Sequence, residues 1–320
     1  MNNSSGAVVR TDLNTFVEEA SRVDELFIAN KVFPEYPVEV KDGTYPKFTL
    51  AGGAELLDGD ISERAPKGSY KRVQRTFTMD SYSTKDRGLE ELVDDEEKRD
   101  NARFFDQEVS AAKFVLRRMK IAYEIRVAAA LFDNTAFNAT DALVAYTPAN
   151  LAAGTIDPVG DILGATDRLA GRGVVGSTMV LSHYLYTRMR RSKILQDYIR
   201  GNRPSDSIIN ISPQMIADAF DLEQCLVAKV PKNAAKKGKA TVATPIWSPA
   251  FFWIGDVQEG DPHNGGAGRT LVWNAEGGLF VTETYRADTN RSDVIRVRQH
   301  SAEKVIDPTA GELITTNWAA

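Results

Sequence analysis

The longest helical pattern in the chain runs from Asp94 to Phe132 without a Gly or a Pro. The pattern predicts one helix of roughly 30 to 39 residues, about 45 to 58 Å long at 1.5 Å per residue. Two nearly opposite apolar stripes contain Phe105, Val109, Ala112, Leu116, Met119 and Tyr123, and Phe114, Ile121, Ile125, Ala128 and Phe132. A polar flank between them contains Lys113, Arg117, Lys120 and Glu124. A coiled coil needs a single apolar seam, so we expect a spine helix covered from both sides, by other layers or by a neighbouring subunit.

Residues 38 to 82 carry two strand patterns around a Gly-rich, charged stretch. The alternation in VEVKDGTYPKFTL and SYKRVQRTFTMDSY predicts a long hairpin, with Val73, Phe77 and Met79 on one side. A two-stranded hairpin is marginally stable alone, so it lies either on a partner or on its own domain. Residues 1 to about 36 predict an arm with a short amphipathic helix that ends before Pro34.

Helix and strand patterns alternate from about residue 150 to residue 275. DPVGDILGATDRLAGRG predicts a helix, STMVLS a buried strand and HYLYTRMRRSKILQDYI a further helix. SPQMIADAFDLEQCLVAKV predicts a helix and a strand, with Ser212 as the N-cap and Pro213 in the first turn. VPKNAAKKGKATVATPIW predicts a basic loop followed by a strand. Together these patterns indicate an α/β or α+β subdomain.

The C-terminal region returns to strands. Two alternating runs are joined by a polar turn at Asp288–Asp293. In the second run, the period-two alternation places Ile295 and Val297 on one face, and Arg296, Arg298 and His300 on the other.

Composition narrows the classes of protein that fit. The 320 residues are 42% hydrophobic, which is enough for a sizeable core and two subdomains. A net charge of −5 argues against a dedicated nucleic-acid-binding protein. Cys225 is the single cysteine, so an intrachain disulfide is impossible and a reducing compartment is expected. No apolar run has membrane-spanning length and no signal peptide is recognisable, so we expect a soluble protein made in the cytoplasm.

The search for catalytic chemistry gives no site. His183, His263 and His300 are widely spaced, and no metal-binding motif contains them. The Gly-rich segment Gly260–Arg269 lacks the Lys-Ser/Thr of a phosphate-binding loop. The basic segments RRMK, RMRRSK and KNAAKKGK are typical of solvated faces, with weak polyanion contacts as the alternative. We therefore predict no catalytic, cofactor-binding or metal-binding residue, and architecture rather than catalysis.

The order of these parts resembles the major capsid protein of tailed double-stranded DNA phages, with the Hong Kong 97-type fold. The sequence segments that carry the resemblance are TKDRGLEELVDDEEKRDN before the long helix, TMVLSHYLYTRMRR, SPQMIADAF and TETYRADTNRSDVIRVRQH. The resemblance implies an α+β fold with these parts: an N-terminal arm (1–37), an extended hairpin or E-loop (38–82), a peripheral domain with the spine helix (83–146), an axial domain (147–278), and peripheral strands with a C-terminal return to the axial domain (279–320).

The same resemblance implies a structural protein rather than an enzyme. Hexamers and pentamers of the chain would form the icosahedral head of a virion around double-stranded DNA, assembled in the host cytoplasm. Expected partners are a portal protein, a decoration protein and a scaffolding protein. Because no long extension precedes the arm, the scaffolding protein is expected to be a separate chain; the alternative is that this chain is a processed form. One alternative is an encapsulin-like compartment shell, which shares the fold. The alternative from another class is an α/β enzyme that uses carboxylates such as Asp157, Asp161 or Asp218.

The resemblance also assigns roles to residues. The predicted intersubunit contacts are Glu55, Asp58, Asp60, Glu63, Arg64 and Lys67 in the hairpin, and Arg286, Asp288, Arg291 and Asp293 at the C-terminal turn. Arg117 and Lys120 are predicted to face the lumen and its packaged phosphate. Some family members crosslink a hairpin lysine to an asparagine, but nothing selects such a pair among Lys47, Lys67, Lys71 and Asn290, and we expect no crosslink here.

Overall fold

The computed structural model describes residues 8–9, 26–47, 59, 63–64, 66–72, 78–103, 106–201 and 210–318. The helices in these ranges are α1 (Ala29–Val32), α2 (Asp95–Asn101), α3 (Gln107–Leu131), α4 (Pro148–Ala153), α5 (Pro158–Ala170), α6 (His183–Met189), α7 (Lys193–Arg200) and α8 (Pro213–Ala219). The strands are β1 (Val8–Val9), β2 (Glu35–Val38), β3 (Asp42–Lys47), β4 (Thr78–Ser83), β5 (Lys85–Asp94), β6 (Asn138–Asp141), β7 (Thr178–Ser182), β8 (Gln224–Ala228), β9 (Pro231–Asn233), β10 (Ala243–Pro245), β11 (Phe251–Gly255), β12 (Gly268–Trp273), β13 (Val281–Ala287), β14 (Ser292–Val305) and β15 (Gly311–Thr315).

The strands form two main sheets and two small hairpins. The six-stranded sheet has the order β1-β13-β14-β12-β2. The sixth strand, β5, pairs with the edge of β14 that lies opposite β13. The five-stranded sheet has the order β6-β15-β11-β7-β8. β3 pairs with β4 and β9 pairs with β10 in separate antiparallel hairpins. The chain is therefore a mixed α+β fold, as predicted.

Helix α3 is the spine that joins the two sheets. Ala112, Leu116 and Tyr123 on this helix belong to one buried cluster with Ile295 of the six-stranded sheet and Leu313 of the five-stranded sheet. All five side chains are less than 5% exposed. The helix thus contributes to the packing of both sheets, which is the two-sided covering that its apolar stripes predict.

The prediction of one continuous helix from Asp94 to Phe132 is wrong. The helix begins at Asp94 as expected, because the Asp94 side chain accepts from the amide of Glu96 at 2.7 Å, but α2 ends at Asn101. A new helix then starts after Asp106, whose side chain accepts from the amides of Glu108 and Val109. The spine itself has 25 residues, or about 37 Å. A side-chain cap favours a helix start at Asp106 over continuation through it.

The predicted polar flank of the spine is also divided. Lys113 and Arg117 are exposed, whereas Lys120 is 6% exposed and Glu124 is fully buried. Conversely, Phe114 of the second apolar stripe is 54% exposed within the single chain. Helical periodicity shows which residues share a face, but it does not show which face a distant segment covers.

The base of the predicted hairpin is confirmed in β3 and β4. Tyr45 and Tyr82 pack with Leu271 and Ala302 of the six-stranded sheet and with Ile306 directly after β14, so the base lies on its own domain. Val73, Phe77 and the stretch around residues 52–58 lie outside the described residues, and so does the predicted arm from residue 10 to residue 25. The end of the arm is described: α1 (Ala29–Val32) ends before Pro34, as predicted, whereas residues 26–28 are not helical. Met79 is described and is 56% exposed.

The central helix and strand predictions are largely confirmed. Residues 178–182 form a fully buried strand, and the Ser212 hydroxyl accepts from the amide of Met215 with Pro213 in the first turn. Helices α5 to α8 cover one face of the five-stranded sheet, while α3 packs against the other. HYLYTRMRRSKILQDYI differs from its prediction, because it forms two helices separated at Arg190–Ser192.

Strands β5, β6 and β12 are among those that the sequence patterns did not predict. β5, a ten-residue strand along β14, was expected only as a lead into the helix. β6 joins the five-stranded sheet although it precedes residue 147, and β12 joins the six-stranded sheet although it precedes residue 279. The domain limits predicted at residues 146 and 278 stay predictions. In the described part of the chain, no helix combines the length and apolar character that a membrane crossing requires.

Candidate interaction surfaces

The C-terminal turn carries a cluster of charged side chains from four elements. Arg286 of β13 donates to both carboxylate oxygens of Asp95 in α2, at 2.7 and 2.6 Å, and to Asp293 of β14 at 3.1 Å. Lys98 lies 3.5 Å from Asp293 and also donates to Glu108 at the start of α3. Two of the predicted contact residues, Arg286 and Asp293, are thus brought together, and their partners are in their own chain.

Electrostatics in this cluster follow from the pairing. The hydrogen bond from Arg286 holds the pKa of Asp95 below its ordinary value. The same pairing raises the pKa of Arg286, first through Asp95 and then through Asp293. The hydrogen bond to Glu108 raises the pKa of Lys98. All three groups therefore stay charged at neutral pH, and the cluster fixes α2 against the end of the six-stranded sheet.

The other two predicted residues of the turn point outwards. Asp288 has a side chain that is 85% exposed and lies 3.7 Å from Arg286. Arg291 is exposed and adopts a left-handed backbone conformation with φ of 48°, and its carbonyl oxygen accepts from the amide of Asp95. The turn residues 288–291 thus form an exposed tip on a base held by ion pairs.

Those predicted hairpin contact residues that the structure describes are exposed as well. Glu63, Arg64 and Lys67 are all solvent-accessible, and Arg64 lies over the ring of Tyr70 at 5.1 Å. Tyr70 is itself 73% exposed. Glu55, Asp58 and Asp60 lie outside the described residues. The structure therefore places part of the predicted hairpin set on the surface of the chain and leaves the rest unplaced.

The two predicted lumen residues differ from each other. Arg117 is exposed on α3, whereas the ammonium group of Lys120 lies 5.4 Å from the ring centre of Phe27 in a buried setting. One turn further along, the buried Glu124 accepts hydrogen bonds from Trp247 Nε1 at 2.7 Å and from the amides of Ile28 and Ala29. Sequence reasoning missed this role because the three donors are distant in the chain.

An ion-pair ladder crosses β5, β14 and β13 on the outer face of the six-stranded sheet. Arg296 donates to Glu90 at 2.6 Å, and Arg298 donates to Glu283 at 2.7 Å. These two arginines lie on the face opposite Ile295 and Val297, as the alternation predicts. His300 lies on the same face as the arginines, as predicted, because the pairing with β5 continues in register to Ser301. It is only 6% exposed, and its ring lies 5.1 Å from that of Trp273.

The carboxylates of the enzyme alternative have structural partners. Asp157 caps α5 by accepting from the amide of Gly160 at 3.0 Å. Asp161 is buried and accepts from the amide of Leu143 and the hydroxyl of Tyr146, and its burial raises its pKa. The exposed carboxylate of Asp218 accepts a hydrogen bond from the side-chain amide of Gln214, one turn earlier in α8, at 2.8 Å.

Two other buried titratable groups, Glu312 and Arg269, have structural partners as well. Glu312 is buried and pairs with both Arg168 and Arg172. Arg269 is also buried, and its guanidinium donates to the carbonyl oxygens of Gly260, Gly265 and Gly268, so it organises the Gly-rich loop. Within the described ranges, no group of three or more His, Cys, Asp or Glu side chains is arranged to hold a metal ion.

Comparisons with known proteins support a fold assignment. Neither a family model nor a curated protein matches the chain. Solved structures do match. A phage-related protein from Bordetella bronchiseptica RB50 is 20% identical with a TM-score of 0.73, and the match covers 98% of both chains.

More distant structures share the same architecture. A virus-like particle from Pyrococcus furiosus is 11% identical with a TM-score of 0.55, over 95% of this chain and 97% of that one. The capsid of the cyanophage P-SCSP1u is 11% identical with a TM-score of 0.53, over 89% and 86% of the two chains. The chain therefore has the Hong Kong 97-type fold of the phage capsid proteins that its succession of parts resembles.

Proposed function

We propose that this chain is the structural subunit of a tailed-phage head, assembling into hexamers and pentamers that close as an icosahedral shell around double-stranded DNA. The observation that carries the proposal is the extent of the fold likeness, which spans most of both chains in comparisons with a phage capsid and a virus-like particle. A shell closes through many repeated contacts per subunit, so each contact can be weak.

The distribution of charge supports this function. Arg286 and Asp293 are engaged within the subunit, where they hold the base of the turn. Asp288 and Arg291 at its tip, and Glu63, Arg64 and Lys67 in the hairpin, are exposed and available to a neighbouring copy. Complementary charges at such rims set register and partner choice more than they add affinity. We assign the intersubunit contacts to these exposed residues, together with Glu55, Asp58 and Asp60.

The partners follow from the same proposal. A separate scaffolding protein directs assembly, a portal protein occupies one vertex and a decoration protein binds the outer surface. Of the two residues predicted to face the lumen, Arg117 and Lys120, we assign this role to Arg117 alone, because Lys120 is buried within the subunit. The structural bonds of Asp157, Asp161 and Asp218 disfavour their use as catalytic groups.

The decisive experiment is negative-stain microscopy with analytical sedimentation on the purified protein, with and without the scaffolding protein encoded near it. We expect rings, tubes or closed shells, and weaker assembly after deletion of residues 52–68. Reversal of the tip charges (Asp288→Lys with Arg291→Glu) should also weaken assembly. The control, Asp167→Lys with Lys193→Glu, changes two exposed charges elsewhere and keeps the same net charge.

The outcomes separate the functions. Shells that enclose nucleic acid support the phage head, whereas shells that enclose a co-purified enzyme would show a compartment shell instead. A subunit that stays monomeric even with the scaffolding protein would overturn the proposal. Catalytic activity in that monomer would favour the enzyme.

A further inference from the structure

The hairpin of β9 and β10 ends in an ordered turn rich in lysine. β9 and β10 pair from Pro231 with Pro245 to Asn233 with Ala243. Asn233 Oδ1 accepts from the amides of Ala235 and Val242, both at 3.0 Å, which closes the loop above the strands.

At the tip of this hairpin, the amide of Lys239 donates to the carbonyl oxygen of Lys236 at 3.0 Å, and Gly238 has φ of 83°. A four-residue turn of this kind needs a glycine at its third position. We call residues 236–239 the lysine turn. Its three lysines, Lys236, Lys237 and Lys239, are all exposed.

The surroundings of the lysine turn contain no compensating charge in the sequence. From Gln224 to Gly255 there are five lysines and no Asp or Glu, although the whole chain has a net charge of −5. Among the residues that the structure describes, none of the ion pairs involves a lysine of the turn. The turn is therefore a concentrated, unneutralised positive charge on an acidic subunit, which attracts polyanions.

We propose that the lysine turn contacts the phosphodiester backbone of nucleic acid. This proposal rests on the proposed function, because it identifies a surface through which the subunit would meet its enclosed DNA. Lysine acts as a point charge towards phosphate, and exposed ammonium groups on one turn can neutralise successive phosphates without reading sequence.

An acidic protein partner fits this surface less well. Protein interfaces have an apolar or aromatic core, and lysine is depleted from them. The turn offers only small neighbours, namely Ala234, Ala235 and Ala240, and it carries neither an aromatic residue nor an arginine. A contact made only by ammonium groups is typical of non-specific binding to a polyphosphate chain.

The test measures binding of the unassembled subunit to a short, random-sequence DNA duplex by fluorescence anisotropy, across about 50 to 200 mM salt. The variant replaces Lys236, Lys237 and Lys239 with Gln. The control replaces the scattered, exposed Lys31, Lys85 and Lys193 with Gln, which changes the net charge equally. Each neutralised phosphate contributes about −0.9 to the slope of log K against log salt. The magnitude of this slope should therefore fall by about 2 to 3 in the turn variant and by about 1 or less in the control.

Several results would overturn the inference. Equal slopes in the two Gln variants would show that general charge, not the turn, binds DNA. Poly-L-glutamate that binds the turn while the duplex does not would assign the turn to an acidic protein. A second variant with Arg at the three positions must keep the wild-type slope, which also controls for folding. Shells that assemble normally but show no dependence of DNA binding on the turn would reject this inference alone, whereas a wild-type chain that never assembles would reject the proposed function.

Discussion

The carboxylate of Glu124 accepts a hydrogen bond from the indole Nε1 of Trp247 at 2.7 Å, at a point where both side chains are almost completely buried. The same carboxylate accepts from the amides of Ile28 and Ala29 at the start of α1, at 3.2 and 3.0 Å. One side chain of the spine helix therefore fixes two segments that approach it from distant parts of the chain. These hydrogen bonds offset the free-energy cost of removing the Glu124 carboxylate from water.

We expect Glu124→Leu to lower the free energy of unfolding by about 2 to 4 kcal/mol, because it leaves three buried donors without an acceptor. Urea unfolding of the unassembled subunit, followed by circular dichroism, measures this. Glu97→Leu, at an exposed position in α2, should change stability by about 0.5 kcal/mol or less. Similar losses in the two variants would show that the Glu124 hydrogen bonds do not matter for stability.

The start of the spine helix gives a second prediction. Asp106 accepts from two amides of the first turn of α3, so Asp106→Ala should cost about 1 kcal/mol. Asp106→Asn is the matched variant, since asparagine is an equally good N-cap and should cost only a few tenths of a kcal/mol. The same urea experiment tests both. If the Asn variant lost as much as the Ala variant, the cap would not be the cause.

The buried carboxylate of Glu312 gives a third prediction. It pairs with Arg168 at 2.6 Å and with Arg172, and it also accepts from the hydroxyl of Thr140. Removing one partner of a buried ion pair leaves the other charge uncompensated. Because Arg168 is about one third exposed, we expect Glu312→Gln to cost about 2 to 4 kcal/mol, somewhat less than for a fully buried pair.

The control for Glu312 is Asp197→Asn, which removes a pair with Arg200 at 3.1 Å whose carboxylate is half exposed. An ion pair of this kind contributes about 0.5 kcal/mol. Thermal unfolding of the subunit compares the two variants. Equal shifts in Tm would contradict a structural role for Glu312.

The pairing of Asp95 with Arg286 predicts a dependence on pH. Arg286 lowers the pKa of Asp95 in the folded state, so this carboxylate stabilises the fold above its ordinary pKa of about 3.9. The stabilisation is lost as the pH falls through the lower, folded-state pKa. Arg286→Gln should therefore raise the pKa of Asp95 towards the ordinary value.

Carboxyl-carbon NMR titration of aspartate-labelled protein measures this pKa directly. Arg291→Gln is the control, because Arg291 contacts Asp95 only through its backbone carbonyl oxygen, and it should leave the titration unchanged. A pKa of Asp95 that is the same in all three proteins would exclude Arg286 as the cause of the shift.

Much of the fold was predictable because its signals are local. The apolar run at residues 178–182 and the Ser212–Pro213 start of α8 each depend on a few adjacent residues, and both predictions are confirmed. The two alternating C-terminal runs likewise form β13 and β14. In these segments, side-chain periodicity and capping chemistry agree with the tertiary environment.

Other features depend on contacts that no local pattern contains. β5 includes Lys85, Asp86, Glu90 and Glu91, so its sequence lacks a strong strand signal, and it is a strand because β14 pairs with it. The role of Glu124 could not be predicted because its donors are about a hundred residues away in each direction. The pairing of Arg286 with Asp95 was missed for the same reason, although Arg286 was predicted as an intersubunit contact.

The pairing of strand β14 with its neighbours determines how the subunit transmits mechanical load. Ser292 to Arg298 are held between β13 on one side and β5 on the other, and the strand continues to Val305 alongside β12. At that end the Val305 carbonyl oxygen accepts from the hydroxyl of Tyr45 at the base of the hairpin. Because the ladder bonds lie across the strand direction, a pull along β14 loads many of them in shear simultaneously rather than opening them one by one. Tension at the exposed tip is therefore transmitted to the hairpin base through a single, stiff strand.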